Sequence, residues 1–531
     1  MKAESSPRVQ EAISFIAEGM ASGGPITKSR VEKLKKKAAV EFSLGRYLRN
    51  SEIMTALPDG TRQDFLEVLR SHPRRSASGI VVVTAFTRPL PCPHGTCVFC
   101  PGGPRFGTPQ SYLKASPGMR TALEADFDPV EQVRRCLAKY EANGHHTGKV
   151  ETIIEGGTFI ADPRDYQLSF VRGVYDGLNG ETSPTLSAAQ EFNETAENRC
   201  VGLTLESKPD WCRREDVDLM LSYGVTRLEI GVQSLHDETL KASNRGHTVA
   251  DAARAFQVAR DSGLKVTAHM MPGLPGATVE EDLEDLMMLF DDAAFRPDMS
   301  KIYPTLVVEG TALARLRDAE KYDPYGLETV VDLLGEMKGF VPPWHRIMRI
   351  QREIPAYEIS GGVRNGNLRE LVIERARKRG HPCRCIRCRE VALGEPADLW
   401  ENDDLVYNET EYNASGGLEI FGSFEFERSR KIAGFVRMRV PSDSAHRTEA
   451  ENATFVRELR VYGRVVNVGG RGVAAFQHLG LGASMLRSME SRAKEELGQG
   501  KLLVTSAVGT REYYRKLGYE RLGPYMAKKL S

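Results

Sequence analysis

The stretch "PLPCPHGTCVFCPGGP", residues 89–104, places three cysteines and a glycine pair directly after a short β-branched run. The three thiols belong to Cys92, Cys97 and Cys100. Thiolates at this spacing can surround one small inorganic centre, and the set lacks a fourth ligand. The residues alone allow two interpretations. One is a zinc site completed by His94, and the other is a cubane iron–sulfur cluster with one iron open to a small ligand.

The segment from Gly79 to about Leu306 alternates short β-branched runs with amphipathic stretches. The runs are "GIVVVTAF", "KVETIIEGG", "VGLTLESKP", "TRLEIGVQS", "LKVTAHMMPGLPG" and "SKIYPTLVV". Alternating strands and helices predict a parallel sheet, either open or closed into a barrel or partial barrel. Chemistry in such a fold collects at the carboxyl ends of the strands, where the cysteines and the "EGG" turn stand.

From about Asp398 the runs "LEIFGSFEF", "KIAGFVRMRV" and "ATFVRELRVYGRVV" alternate as strands do, and they predict a separate α+β domain. In "FQHLGLGASMLRSMESRAKEELG", Gln477 and the glycines that follow it precede a long amphipathic helix starting near Leu481. Backbone amides and the positive end of a helix dipole suit a pyrophosphate. Together with "RELRVYG" and "REYYRKLGYE", this pattern resembles a GNAT-type acetyltransferase fold that binds acetyl-CoA.

The cysteine motif resembles that of the radical SAM superfamily, although four residues separate its first two cysteines where three are usual. The motifs "EGGTF", "LESKPD", "NRGHTV" and "AHMMPGLP" occur with it in order, and the chain from about Ser29 onward resembles the family of the catalytic subunit of Elongator, which has lengthened spacings. The resemblance implies a radical SAM partial TIM-type barrel followed by a GNAT-type acetyltransferase domain.

The resemblance also implies roles for individual residues of the barrel. Cys92, Cys97 and Cys100 would hold a 4Fe–4S cluster whose open iron binds S-adenosylmethionine. Gly156 and Gly157 would let the backbone approach the methionine moiety. Contacts to cofactor or substrate are expected from Glu206, Glu229 and Gln233, whereas His269 is interpreted as a core histidine.

In the second domain the resemblance implies a set of acetyl-CoA contacts. These are Glu458, Leu459, Arg460, Val461, Gln477, Gly480, Leu481, Gly482, Ala483 and Tyr514, with Lys149 reaching in from the barrel. Tyr513 or Tyr514 could protonate a leaving thiolate, and ordinary aromatic packing is the alternative for either.

A second cysteine cluster, Cys383, Cys385 and Cys388 in "HPCRCIRC", predicts a structural zinc site. Its fourth ligand is His381 or, if the chain folds back, His345. The region around it is proline- and arginine-rich, so we interpret it as a linker without a core of its own. The predicted domains are a basic tRNA-binding segment at 1–75, a radical SAM domain at 76–340, the linker at 341–397 and an acetyltransferase domain at 398–531.

The charges of the chain balance overall, with 72 Lys and Arg against 72 Asp and Glu among 531 residues. Two basic runs, one at 28–49 and one at 346–389, nevertheless favour a phosphate-backbone partner. The nine cysteines fall as two tight clusters plus the isolated Cys136, Cys200 and Cys212, which suits metal ligation in a reducing compartment. With no long apolar run, the sequence predicts a cytoplasmic protein without a membrane partner.

Taken together, the resemblance implies an enzyme that forms 5-carboxymethyluridine at the wobble position of tRNA. A radical generated from S-adenosylmethionine would activate the acetyl methyl group for addition to C5 of uracil, and thioester hydrolysis would leave the carboxymethyl group. The anticodon stem-loop would be the bound element, and an unidentified electron donor is required. A homodimer is left open. The alternatives are a protein lysine acetyltransferase with a structural barrel, and a tRNA-binding scaffold that hydrolyses acetyl-CoA slowly.

Overall fold

A computed structural model describes residues 6–22, 24–72, 76, 78–391, 403–462 and 480–530. The helices are α1 (Pro7–Ala21), α2 (Lys28–Glu41), α3 (Asn50–Ala56), α4 (Asp59–Leu69), α5 (Met119–Glu124), α6 (Pro129–Ala142), α7 (Arg164–Asn179), α8 (Leu186–Asn193), α9 (Arg214–Ser222), α10 (Asp237–Ala242), α11 (Val249–Asp261), α12 (Val279–Asp291), α13 (Ala312–Asp318), α14 (Leu327–Phe340), α15 (Leu368–Lys378), α16 (Ile386–Arg389), α17 (Leu481–Ser491) and α18 (Arg511–Arg515). The strands are β1 (Val81–Phe86), β2 (Lys149–Glu155), β3 (Arg199–Ser207), β4 (Arg227–Gln233), β5 (Lys265–Met270), β6 (Met299–Ile302), β7 (Val307–Val308), β8 (Arg346–Ile350), β9 (Ile359–Gly361), β10 (Leu405–Ala414), β11 (Gly417–Phe426), β12 (Ile432–Val440), β13 (Ala453–Val461), β14 (Lys501–Val504), β15 (Glu520–Leu522) and β16 (Tyr525–Lys529).

The central domain is a parallel half-barrel. Its seven strands follow the order β1-β2-β3-β4-β5-β6-β8, and every neighbouring pair is parallel. β1 and β8 are the two edges of this sheet, so a lateral opening lies between them. All carboxyl ends therefore meet at one rim, which confirms the predicted partial barrel.

The region around 341–390, which we interpreted as a linker without a core, is instead built into the half-barrel. β8 pairs with β6 as the last strand of the sheet, and α15 packs against α14. Ile347, Val372 and Cys385 belong to the main hydrophobic core. The prediction is wrong because the arginine-rich composition hid a five-residue strand and an amphipathic helix whose apolar positions are buried.

The carboxy-terminal domain is a mixed seven-stranded sheet with the order β10-β11-β12-β13-β14-β16-β15. β13 and β14 are parallel, and their pairing covers only Ala453–Val456 and Lys501–Val504. Beyond Val456 the last five residues of β13 have no partner on the β14 side, so a wedge opens between the two strands. α17 begins at this wedge, directly after Gly480, whose φ is +72°. The alternating pattern of the sequence predicted β11, β12 and β13, whereas the polar β10 was missed.

Buried ion pairs join the two domains. Asp298, just before β6, accepts two hydrogen bonds of 2.6 Å from Arg457 of β13, and Asp261 pairs with Arg439 of β12 at 2.6 Å. All four side chains are almost inaccessible to solvent. Because Asp298 and Asp261 precede strands of the half-barrel, the acetyltransferase-like sheet docks against the amino ends of those strands.

Helices α1 to α4 form a small domain with a core of its own, which includes Ile16, Val31, Ile53 and Leu69. On α2 the exposed face carries Lys33, Lys36 and Lys37, while Val31 and Ala38 face inward. Within the described residues, no helix is both long and apolar enough to cross a membrane.

Candidate functional site

The cysteine loop follows β1 and covers the carboxyl rim of the half-barrel. Cys97 and Cys100 are buried, and Cys92 is partly buried. The Cys97 sulfur has two polar neighbours: the Nε2 atom of His94 lies 3.1 Å away, and the Nη1 atom of Arg245 donates a hydrogen bond of 3.2 Å. The thiols and Arg245 line one cavity of about 160 Å³.

The spacing of these sulfurs distinguishes the two interpretations of the site. Ligands of one tetrahedral zinc ion have sulfurs about 3.8 Å apart, because each Zn–S bond is about 2.3 Å. Among the described residues, the groups with three ligand atoms mutually within 4.8 Å do not include Cys92, Cys97 or Cys100. A multi-iron cluster, which places each cysteine on a different iron, fits this wider set.

The glycine pair at the end of β2 lies against the cysteine loop. Gly156 has φ +140°, and a side chain there would overlap the hydroxyl of Thr87. A Cβ atom at Gly157, whose φ is +45°, would lie 3.5 Å from the sulfur of Cys92. Only glycine fits the first position, and the second leaves a backbone edge open beside the thiol.

Gln233 ends β4 in the left-handed region, with φ +75°. Such a conformation is uncommon for a side chain of this size and marks a position held by its surroundings. Its buried Oε1 atom has no hydrogen-bond partner in the described residues, and the side chain lines the same cavity as the thiols. An open backbone edge and an orphaned acceptor beside the cysteines fit the binding of a polar cofactor.

A charged cluster lies on the other side of this cavity. Ligand atoms of Glu206, Glu229 and His269 lie within 4.8 Å of one another. The Nε2 atom of His269 lies 2.9 Å from Glu229, and the ammonium group of Lys301 pairs with Glu229 and lies 3.9 Å from Glu206. His269 was interpreted as a core histidine, and it is indeed mostly buried, yet it also lines the cavity. Lys301 was missed, because a single lysine within a strand carries no signal of its own.

Two further acidic and phenolic groups complete the cluster. Tyr112 donates a hydrogen bond of 3.0 Å to Glu206. Burial and the neighbouring Glu206 carboxylate raise the pKa of Glu155 to about 8. For Glu229 burial acts in the same direction, but Lys301 and His269 outweigh it and hold its pKa well below the usual range. Two neighbouring carboxyl groups are thus tuned in opposite directions.

A second cavity of about 590 Å³ occupies the wedge between β13 and β14. Residues predicted to contact acetyl-CoA line it, namely Lys149, Glu458, Leu459, Arg460, Val461, Gly480, Gly482, Ala483, Tyr513 and Tyr514. The unpaired backbone of β13 and the amino end of α17 both face this space. Leu481 begins α17 but is not part of the lining, and Gln477 lies outside the described residues.

The two tyrosines of α18 differ in exposure. Tyr513 is 42% exposed, and its hydroxyl would lie 3.0 Å from a Cβ atom built at Gly482. Tyr514 is 7% exposed and packs edge-on against Tyr513 and Tyr519. Tyr513 is therefore the phenol available at the start of α17, and Tyr514 is mainly an aromatic packing residue.

Comparison with known proteins adds three family matches. Residues 91–290 match the radical SAM superfamily, 297–378 the radical SAM C-terminal domain and 9–77 the ELP3 N-terminal domain. Elongator complex protein 3 of Danio rerio is 40% identical, covering 98% of this chain and 96% of that protein. The tRNA uridine(34) acetyltransferase of Methanocaldococcus infernus is 41% identical, with 98% of each chain covered.

The chain belongs to the Elp3 family. A solved structure of Methanocaldococcus infernus Elp3 lacking residues 1–46 matches with a TM-score of 0.74 at 41% identity, covering 85% of this chain and 100% of that one. The radical SAM domain implies a 4Fe–4S cluster and S-adenosylmethionine. It also confirms the family resemblance that the motifs of the cysteine loop and the barrel indicated.

The second cysteine cluster of this Elp3-family chain is compact. The sulfurs of Cys383, Cys385 and Cys388 lie within 4.8 Å of one another, which fits a single metal ion. His345 is not available as the fourth ligand, because its ring nitrogens contact the Ser300 hydroxyl and the Pro297 carbonyl oxygen, each at 2.8 Å. His381 is exposed and does not belong to the compact group.

The lateral opening of the Elp3-family half-barrel is a basic cleft of about 1350 Å³. Arginines from both basic runs of the sequence line it, together with one from α5, namely Arg49, Arg120, Arg349, Arg352, Arg369 and Arg387. The cleft shares Glu155, Lys301 and Arg352 with the cysteine cavity, so the two spaces are continuous. Burial and Arg369 lower the pKa of Arg387 to about 10, which leaves it charged near neutral pH.

Proposed function

We propose that this protein forms 5-carboxymethyluridine at the wobble position of tRNA, using acetyl-CoA and S-adenosylmethionine. The observation that carries the proposal is the placement of three spaces on one half-barrel. The thiol cavity lies at the carboxyl rim, and the wedge cavity lies at the amino ends of the strands. The basic cleft enters from the side of the half-barrel and is continuous with the thiol cavity. Its relatives named tRNA uridine(34) acetyltransferase support the substrate class.

The thiol cavity offers a binding site for each implied cofactor. Cys92, Cys97 and Cys100 would hold the 4Fe–4S cluster, with the backbone at Gly157 and the side chain of Gln233 toward S-adenosylmethionine. When bound, this pair of cofactors supplies a radical that takes hydrogen from an unactivated carbon. The cavity walls exclude water from that centre, since Cys97 and Cys100 are buried.

The wedge cavity would take acetyl-CoA. The amino end of α17 and the unpaired β13 amides can donate to its pyrophosphate and pantetheine groups. Tyr513 would donate a hydrogen bond to the thioester of acetyl-CoA while it is bound in the wedge, because its hydroxyl is beside Gly482 and the residue is 42% exposed. Lys149 would contribute a positive charge from the start of β2.

The basic cleft would hold the anticodon stem-loop. Arginines bind phosphates in fixed geometry, and a single-stranded base can be splayed from the loop into the adjoining thiol cavity. Cys383, Cys385 and Cys388 would hold a structural zinc that fixes the chain next to Arg387.

The experiment compares tRNA nucleosides by mass spectrometry from cells that carry wild-type protein, Cys97→Ser or Cys212→Ser. The last is a matched control, because Cys212 lies outside both clusters and its sulfur donates to the Lys208 carbonyl oxygen at 3.1 Å, as a serine hydroxyl can. We expect Cys97→Ser alone to lose the carboxymethyl-type uridines. Retention of these nucleosides in Cys97→Ser would reject the radical route, and acetylated protein as the only product would favour a lysine acetyltransferase.

A further inference from the structure

The interior of the half-barrel is lined by charged side chains. Barrels of this kind usually fill their interior with branched aliphatic residues. Here β2 and β4 carry, on the face turned to the interior, Glu151, Glu155, Arg227 and Glu229. Lys301 of β6 faces the same space. Burial of so many charges is costly unless each is paired, so the lining calls for an explanation.

The charges form one continuous series of pairs from the wedge cavity to the thiol cavity. The order is Arg460 to Glu151 at 3.6 Å, Glu151 to Arg227, Arg227 to Glu229 at 3.5 Å, Glu229 to Lys301, and Lys301 to Glu206 at 3.9 Å. Arg460 lines the wedge cavity and Glu206 lines the thiol cavity. The series therefore runs the length of the barrel interior.

The two cavities are too far apart for their contents to meet without movement. Lys149 and Glu155 are the ends of β2, and they line the wedge cavity and the thiol cavity, respectively. Six residue steps of a strand span about 20 Å. A reaction between the acetyl methyl group and a radical at the rim needs the thioester arm to cover this distance.

The interior also contains polar atoms with unfilled hydrogen bonds. Thr267 Oγ1 is buried and has no hydrogen-bond partner among the described residues, whereas Arg227 Nε and Glu229 Oε1 make only their mutual contact of 3.5 Å and no hydrogen bond. Thr267 pairs in register with Glu229 in the neighbouring strand. Gly202 lies beside Glu151, and a Cβ atom there would be 3.3 Å from the Glu151 Cγ atom. The absence of a side chain at Gly202 therefore gives the Glu151 carboxylate room to move.

We propose that the acetyl-thioester arm of CoA enters the half-barrel interior from the amino ends of the strands. Glu151 and Arg227 form the constriction through which it passes, and the Nε–H of Arg227, which otherwise makes only the 3.5 Å contact with Glu229, donates to the thioester carbonyl oxygen. The interior is thus an acyl-thioester subsite between the two cavities. This inference rests on the proposed use of acetyl-CoA and adds the route by which its methyl group reaches the rim.

The test uses bromoacetyl-CoA on Ile153→Cys protein without its iron–sulfur cluster. Ile153 lies on β2 between Glu151 and Glu155, and all three residues line the part of the basic cleft that reaches into the barrel interior. The thiolate of the new cysteine would attack the carbon that bears bromine, so that an S–C bond forms, the C–Br bond breaks and bromide leaves, while the thiol proton passes to buffer. Peptide mapping separates this site from the nine native cysteines.

Leu168→Cys on α7 is the matched control, since Leu168 is 36% exposed on the outer surface. The alkylation rate of each new cysteine with bromoacetyl-CoA is divided by its rate with bromoacetamide. We expect this ratio to be at least about 10-fold larger at position 153 than at position 168, because a bound reagent is positioned beside the thiol. Excess acetyl-CoA should suppress the reaction at 153 alone. Equal normalised rates, or no suppression, would overturn the inference.

Calorimetric binding of acetyl-CoA to the same proteins distinguishes the two possible failures. Binding without selective alkylation at 153 overturns only the interior route. Absence of binding overturns the proposed function and this inference with it. If Ile153→Cys fails to fold, Val82→Cys replaces it, because Val82 is paired in register with Glu151 and is 40% exposed.

Discussion

The ammonium group of Lys301 pairs with the Glu229 carboxylate inside the half-barrel, where both side chains are almost fully buried. β4 and β6 are separated by β5, so the pair connects two strands that are not neighbours in the sheet. Removal of Lys301 would leave the buried Glu229 carboxylate with only His269 at 2.9 Å and Arg227 at 3.5 Å beside it, and a poorly compensated buried charge costs more than the pair itself contributes.

Lys301→Met is therefore expected to lower the free energy of unfolding by about 3–5 kcal/mol. The double variant Lys301→Met with Glu229→Gln should recover part of this loss, because it removes the buried carboxylate that has lost its nearest counter-charge. Urea denaturation of the three proteins measures the difference. A double variant no more stable than the single one would show that the lysine acts by packing and not by charge.

The raised pKa of Glu155 is expected to make the free energy of unfolding depend on pH. Its pKa in the folded protein is about 8, above the ordinary value of about 4.5 that it regains on unfolding. A raised pKa gives stability that is present below pH 4.5 and is lost as the pH rises through 8. Wild type should thus lose about 4 kcal/mol relative to Glu155→Gln between pH 5 and pH 8.5. Parallel stability curves for the two proteins over this range would contradict the assignment.

The ion pairs of Asp298 are expected to stabilise the contact between the half-barrel and the carboxy-terminal sheet. Asp298 accepts hydrogen bonds from Arg457, and Arg260 and Arg437 lie within 3.8 Å. Asp298→Asn would leave three buried guanidinium groups with only Glu419 and Glu458 as counter-charges and should cost about 3–5 kcal/mol. Differential scanning calorimetry should then resolve earlier unfolding. The exposed Asp318→Asn, a surface partner of Arg317 at 2.7 Å, is the control expected to change stability by less than about 1 kcal/mol.

The cluster of Cys383, Cys385 and Cys388 is expected to bind one zinc ion. The three sulfurs of this cluster are close enough for one ion, and hydrogen bonds from Cys383 and Cys388 hold the pKa of the Cys385 thiol well below its ordinary value against the effect of burial. Zinc analysis should find one equivalent in wild type and about 100-fold weaker zinc binding in Cys385→Ser. Cys136→Ser, which removes a thiol outside both clusters, should keep its zinc. Equal zinc in all three proteins would exclude the cluster as the site.

The sequence predicted the half-barrel because strand and helix periods alternate clearly and because glycine turns and thiols follow the strands. It also indicated Glu206, Glu229 and Gln233, which do line one cavity. Lys301 and Asp298 could not be found this way, since their partners lie 72 and 159 positions away in the chain. The prediction for the 341–390 region is wrong because composition does not reveal that β8 completes a sheet whose first strand, β1, begins 265 residues earlier.

The central claim is that the acetyl group of acetyl-CoA becomes the carboxymethyl group of uridine. The most direct measurement supplies reduced, cluster-loaded protein with S-adenosylmethionine, tRNA and acetyl-CoA labelled with carbon-13 at both acetyl carbons. Mass spectrometry of the digested tRNA should find both labelled carbons in 5-carboxymethyluridine, and none in reactions with Cys97→Ser. Unmodified wobble uridine, despite spectroscopic evidence of a loaded cluster and bound acetyl-CoA, would contradict the account.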